Sequence, residues 1–309
     1  MIYLGIDTSN YTTSVAAVCG DTIISKRQLL PVKSGERGIR QSEGVFHHMK
    51  FLPRLYGEIS KDIAVSDIAA VGVSTRPRNV AGSYMPVFLA GEGYARVISD
   101  TLGVPLHCVS HQDGHVMAGI YSCGFEKLLE GEFLSVHLSG GTTEILKSRF
   151  VDGGFVHEIV GGTKDISAGQ FIDRIGVRLG LQFPAGRALE ELSNTAEKAI
   201  KLPVSTDGAY INFSGAETKA SRMTDECEKA ELALGVLTAV KDTLVKALNS
   251  AVRNTGVSRV LMVGGVSSNS LIRRGLEKEL DGKVFFASPE LSTDNAVGVA
   301  KLAEIKYGL

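Results

Sequence analysis

The sequence offers no closely spaced cysteines: Cys19, Cys108, Cys123 and Cys227 are scattered through 309 residues. Neither a C-x-x-C metal ribbon nor a disulfide-stapled secreted domain is encoded, and a reducing cytosol is the expected compartment. No apolar run approaches the ~18 residues of a membrane span. The opening "MIYLGIDTS" has no basic region ahead of a long apolar stretch, so a soluble, cytoplasmic chain without a membrane partner is expected. Charge of one sign is also missing. Lysine plus arginine number 33 against 34 for aspartate plus glutamate, a formal net charge of −1, which provides no general attraction to phosphate backbones or anionic lipid. Any nucleic-acid contact must therefore be local.

Glycine is what the chain has in excess, 35 of 309 residues against a usual share of about 7%, and without low-complexity tracts. Tight turns and close backbone approaches to a ligand are expected. "IYLGID", "SVAAVCG" and "TIISKRQLL" read as three successive strands, followed by a helix from "SEGVFHHMKFLPRLYGEIS" with Ser42 as its cap. "IAAVGVST" returns to the sheet, and a helix runs through "MPVFLAGEGYARVISDTLG". Near residue 133 the opening pattern recurs: "FLSVHLSGGTTEILKSRF" supplies strand, Ser/Gly/Thr turn and strand, and "GGFVHEIVGG" a third strand. Helices follow through "SAGQFIDRIGVRLGL", "GRALEELSNTAEKAIK" and "ELALGVLTAVKDTLVKALNSAVRNTG". A strand then passes through a Gly-Gly turn into a helix in "RVLMVGGVSSNSLIRRGLEKEL", before a short strand "KVFFAS" and a closing helix from about Thr293. A duplicated strand–turn–strand–strand–helix unit predicts an α/β protein of two lobes around a central cleft. The lobes are expected at 1–109 and 110–292, with 293–309 free to pack back on the first.

Three turns suit an anion, because Gly-rich backbone and helix starts present N–H groups without side-chain obstruction. They are "DTSNYTTS" (Asp7 to Ser14), "SGGTT" (Ser139 to Thr143) and "GGVSSN" (Gly264 to Asn269). None has P-loop spacing or the G-x-G-x-x-G fingerprint, which disfavours P-loop and dinucleotide folds. A nucleotide or other phosphorylated ligand is the expected occupant.

In "HCVSHQDGHVMAG" Ser110 and Asp113 have capping-box spacing, so a helix should begin at His111 and place His111 and His115 on one face. Two imidazoles at i and i+4 can reach one ion, but a third ligand is needed. Asp294 in "LSTDNAVGVAKLA" is the best candidate, and capping its own helix is the alternative. Two histidines and a carboxylate with open positions suit iron or zinc, one divalent metal per chain. Gln112 stands where a H-E-x-x-H metalloprotease needs its glutamate base, so protease chemistry fits poorly.

These segments, with "GIDTS", "HQDGH", "LSGGTTEIL", "DISAGQFIDRIGVRLGL", "FPAG", "INFSGAETKA", "VGGVSSN" and "PELSTDNA" in order, resemble the TsaD family of metal-dependent threonylcarbamoyl transferases of tRNA modification. The resemblance implies a duplicated actin-like ATPase (ASKHA) fold and a metal held by His111, His115 and Asp294. It also implies nucleotide or acyl-adenylate contacts from Ser139, Gly140, Gly141, Asp173, Gly186, Glu190 and Asn269, with Glu190 at a ribose-binding position. The implied reaction transfers a threonylcarbamoyl group from its mixed anhydride with AMP to a tRNA adenosine, with other tRNA-modification proteins or a second copy of the chain as partners.

The chain departs from the family at its chemical centre. "SNYTT" replaces the acidic "SCDET", putting Asn10, Tyr11 and Thr12 in place of residues linked to the reaction. Thr142 replaces a histidine in "SGGHT", Gln170 a glutamate in "AGEAFDK", and "TRPRNVAG" the Gly-rich "AGPGL" segment. A divergent paralogue is implied, with three outcomes open: tRNA modification, carbamoylation of a small molecule, or a non-catalytic binding partner. Adjacent His47 and His48 cannot share a helix face and read as packing or surface residues. Arg37, Arg40, Lys50, Arg54, Arg76 and Arg78 form the densest basic zone, either a phosphate contact or a solvated face. Ser214 lies in no G-x-S-x-G elbow and is not a credible nucleophile.

Overall fold

The computed structural model describes residues 1–9, 11–31, 39–280, 283–292 and 296–309, and they divide into two compact units. The first holds residues 1–124, 150–156 and 293–309. Its strands β1 (Ile2–Thr8), β2 (Thr12–Cys19) and β3 (Thr22–Leu29) form an antiparallel meander. Every residue of β1 is buried, as a central strand covered on both faces requires. β3 alternates exposed and half-buried positions at the sheet edge, where Lys26 and Arg27 discourage further strand pairing.

Helix α1 (Gln41–Ile59) starts at Arg40 without a side-chain cap, so Ser42 lies inside the helix and does not cap it. Strand β4 (Ile68–Arg76) joins β1 in parallel, α2 (Phe88–Leu102) follows, and β5 (Leu106–Ser110) completes the order β3-β2-β1-β4-β5. Helix α3 (His111–Cys123) opens with the expected capping box: Asp113 N donates to Ser110 Oγ at 3.0 Å and Ser110 N to Asp113 Oδ2 at 3.3 Å.

The second unit holds residues 125–149 and 157–292. Strands β6 (Glu132–Leu138), β7 (Thr143–Val151) and β8 (Gly154–Thr163) repeat the meander. Helices α4 (Ala168–Arg178) and α5 (Gly186–Ser193) come next, the latter stopping well short of the Lys201 expected from its pattern. A short hairpin of β9 (Ser205–Asp207) and β10 (Tyr210–Asn212) and the helix α6 (Ser214–Met223) were not anticipated. Helix α7 (Lys229–Thr255) forms the spine of this core. β11 (Val260–Val263) pairs with β6 in parallel, and α8 (Ser270–Glu279) and β12 (Val284–Phe286) follow. The sheet order β12-β11-β6-β7-β8-β10-β9 contains the first sheet's order, with β6, β7, β8, β11 and β12 equivalent to β1, β2, β3, β4 and β5. The predicted duplication is present.

Helix α9 (Val297–Gly308) returns to the first unit and packs on β1, β4 and α3. It is apolar on several sides because sheet and helix both cover it. A methyl group at Gly298 would collide with the Gly114 carbonyl oxygen and reach 2.7 Å from the Ala118 nitrogen, so only glycine permits this α3–α9 crossing. The second lobe, expected from residue 110, therefore begins only beyond α3, which α9 fastens to the first unit.

Candidate functional site

In the first unit the ends of β1, β4 and β5 and the head of α3 converge on Asp7, which is fully buried. Its Oδ1 accepts from Ser74 Oγ and, at 3.0 Å, from Nδ1 of His111. Its Oδ2 is buried and, among the described residues, meets no partner. A carboxylate at Nδ1 holds the proton there and leaves Nε2 of His111 with its lone pair outward. That Nε2 lies 3.0 Å from Nε2 of His115, the rings edge to face with centroids 4.4 Å apart. The i, i+4 spacing thus brings both imidazoles to one point, as the sequence pattern predicts.

The donor set fits a divalent metal. Two Nε2 atoms sharing a tetrahedral ion at ordinary bond lengths stand about 3.3 Å apart, near the observed separation. The Asp7–His111 contact is the carboxylate support that metal-bound histidines commonly have. Among the described residues no group of three His, Cys, Asp or Glu side chains surrounds a single point, and Asp294 lies outside them. His107, on β5, stays apart with its Nε2 buried.

Around this core the altered segments take other work. Thr12 and Thr13 are buried on β2, and Thr13 Oγ1 lies 2.8 Å from Nδ1 of the buried His48. Burial lowers the His48 pKa to about 4, although the charge of Asp7 acts to raise it. His48 is thus a neutral neighbour of the site and not a surface residue. Asn10 and Arg37 lie outside the described residues. In the "TRPRNVAG" segment Arg76 Nη2 donates to Asn79 Oδ1 at 2.7 Å, and Gln112 N donates to the Pro77 carbonyl at 3.1 Å, which ties the loop to the first turn of α3. Arg40 sits at the head of α1, and Arg54 pairs with Glu58 and Gln28.

In the second unit Ser139, Gly140 and Gly141 form the β6–β7 turn, closed by Ser139 N to the Thr142 carbonyl at 2.9 Å and Thr142 N to Ser139 Oγ at 3.1 Å. Gly140 and Gly141 are exposed, and among the described residues nothing beyond their chain neighbours crowds the Cβ position of either. Ser167 Oγ donates to the Gly140 carbonyl at 2.8 Å, linking the turn to α4. Gln170 completes a capping box with Ser167. Replacing glutamate by glutamine there keeps the box, since either side chain can accept from the cap amide.

Asp173 Oδ1 accepts from Ala185 N at 2.7 Å and so fixes the approach to Gly186, the first residue of α5. Burial raises the Asp173 pKa, against the opposing effect of that hydrogen bond. Glu190 Oε1 accepts from Ser270 N at 2.8 Å, and Asn269 caps α8 through Oδ1 and Ile272 N at 3.0 Å. These contacts place Glu190 beside Asn269, and join α4 to α5 and α5 to α8. Gly264, preceding that helix, has φ +95° and abuts the Leu138 carbonyl oxygen, a conformation and a closeness that only glycine tolerates. Ser214 heads α6, where its amide donates to Asp165 Oδ2 at 2.9 Å.

Two sheets with the same strand order, each ending in polar turns, define a protein of the actin-like ATPase fold. Solved structures agree: component A of the Acidaminococcus fermentans (R)-2-hydroxyglutaryl-CoA dehydratase superposes over 100% of both chains with TM-score 0.57 at 17% identity. T. kodakarensis HypF matches 99% of this chain and 48% of its own with TM-score 0.63 at 14% identity. The family model TsaD, tRNA N6-adenosine threonylcarbamoyltransferase, matches residues 21–301. A tRNA N6-adenosine threonylcarbamoyltransferase of Sulfurihydrogenibium sp. is 32% identical over 97% of this chain and 89% of its own. The chain belongs to the TsaD family.

Proposed function

We propose that the protein transfers a threonylcarbamoyl group from its AMP anhydride to the amino group of a tRNA adenosine, in the cytoplasm, with a divalent iron or zinc ion in the first unit. Family membership supports the reaction, and the facing Nε2 atoms of His111 and His115, backed by Asp7, support the ion. His111, His115 and Asp294 would hold it. A bound ion supplies Lewis acidity toward a carbonyl or phosphate oxygen. Asp7 keeps the His111 proton at Nδ1, so that both histidines can present a lone pair.

In the second unit the amides of Gly140 and Gly141 would receive the phosphate, where negative charge grows as the anhydride C–O bond breaks and AMP departs with its electron pair. Gly186 stands at a helix start suited to the same anion, whereas the start of α8 at Asn269 already holds the Glu190 carboxylate on Ser270 N, and the other oxygen of Glu190 suits a ribose hydroxyl. The amino nitrogen of adenosine forms the new bond to the carbamoyl carbon and loses a proton. The test is incubation of the protein and its partner proteins with synthesised threonylcarbamoyl-AMP and modification-free tRNA, with the modified nucleoside measured by mass spectrometry. Absence of product rejects the tRNA acceptor.

One observation favours a second reading. The turn that is acidic in the family supplies Thr13, whose hydroxyl is engaged by His48, and no carboxylate lies between Ser9 and Gly20. A non-catalytic partner of a true transferase, or a carbamoyltransferase for a small molecule, would tolerate this. The former binds adenylate without turnover, and the latter turns it over without tRNA.

A further inference from the structure

Helix α7 is buried along most of its length, yet near its end Lys246, Asn249, Ser250 and Arg253 follow the i, i+3, i+4, i+7 spacing of one face. The β9–β10 turn lies over this stripe, with the Cβ position of Gly208 3.6 Å from Ser250 Oγ. Together with Thr206 and Gly208, the four helix residues line a cavity of about 340 Å³. None of the six is acidic. Asp207, in the same turn, is engaged by Lys164 at 2.7 Å.

Among the described residues no hydrogen bond or ion pair occupies the side chains of Lys246, Asn249 or Arg253. Other cations of α7 are committed: Lys241 pairs with Asp242, and Lys229 Nζ donates to the Leu179 carbonyl at 3.1 Å. Two unneutralised cations with amide and hydroxyl donors between them suit an oxyanion with several acceptor oxygens. Seven residues of helix separate Lys246 from Arg253 by roughly 10 Å, more than a single phosphate spans.

We propose that this concavity binds phosphate groups, supplied by successive phosphodiesters of an RNA backbone. In a chain of net charge −1 it provides the local attraction that overall charge does not. The RNA source rests on the tRNA acceptor proposed above, whereas the phosphate chemistry rests on the cavity itself.

The test uses the full chain with Lys246→Gln and Arg253→Gln combined, both exposed positions, with a melting curve to confirm folding. Binding of unmodified tRNA is measured across a salt series, beside binding of threonylcarbamoyl-AMP and of inorganic phosphate. The expected result is tRNA affinity weakened about tenfold or more near 0.1 M salt and a slope of log K against log salt shallower by about 2, with adenylate binding unchanged. Unchanged affinity and slope in the double variant overturn the proposal. If the wild type binds no tRNA, the acceptor reading fails separately. Phosphate binding that disappears in the double variant then upholds the site with a small phosphoester as its ligand, and absence of phosphate binding overturns it.

Discussion

Asp7 and His111, 104 positions apart in the chain, meet through a hydrogen bond of 3.0 Å from the ring Nδ1 to Oδ1. Their contact makes the outward orientation of His111 Nε2 a property of β1 as much as of α3. Asp7→Asn should therefore weaken metal binding about 10- to 100-fold while leaving both ring ligands in place. His115→Ala should abolish stoichiometric metal. Elemental analysis of purified variants, with metal titration of the first, checks both. Equal metal content in all three proteins would remove the ion from His111 and His115.

Acid should destabilise the fold in two separate steps. His48 has its pKa lowered from 6.5 to about 4 by burial, so the unfolded chain binds its proton more readily than the native one. Its contribution is intact above pH 6.5 and falls away as pH drops toward 4, by a cost on the order of 3 kcal/mol. Asp165 follows lower down. Burial raises its pKa, but hydrogen bonds from Ser214 and the Phe213 and Ile166 amides outweigh that and lower it below 3.8, so its stabilisation is lost only as pH falls through that depressed value. Denaturation curves from pH 7 to 3 should show the first loss disappear in His48→Gln.

At the α3–α9 crossing Gly298→Ala should cost about 1–3 kcal/mol through overpacking, read as a lower urea midpoint with an unchanged slope. Because α3 carries both histidines, the variant should also bind metal more weakly.

Asp173→Asn keeps an acceptor for the Ala185 amide, whereas Asp173→Ala leaves that amide without its carboxylate partner. The alanine variant should lose about 1–3 kcal/mol relative to the asparagine variant and show the larger fall in adenylate affinity, measurable by calorimetry alongside thermal melts.

Much of this architecture was legible where local pattern and burial coincide. The recurrence of a Ser/Gly/Thr turn between strands announced the duplicated sheets, and Ser110 with Asp113 marked the start of α3 to the residue. Where the signal was local but weak it misled: Ser42 looks like a cap, yet the helix begins before it. The three-residue strands β9 and β10 are too short to show alternation, and α6 followed them unseen. The histidine pair was visible because i, i+4 is a helical property. The roles of Asp7, Ser74 and His48 were not, since they arise from strands and helices that only the tertiary fold brings together.

Closing the α9 helix onto β1 joins segments almost three hundred positions apart. Entropy of ring closure makes such a long-range contact slow to form. On the ribosome, the face of the sheet that α9 covers stays without that helix until translation reaches it, whereas α1 and α2 are already made for the opposite face.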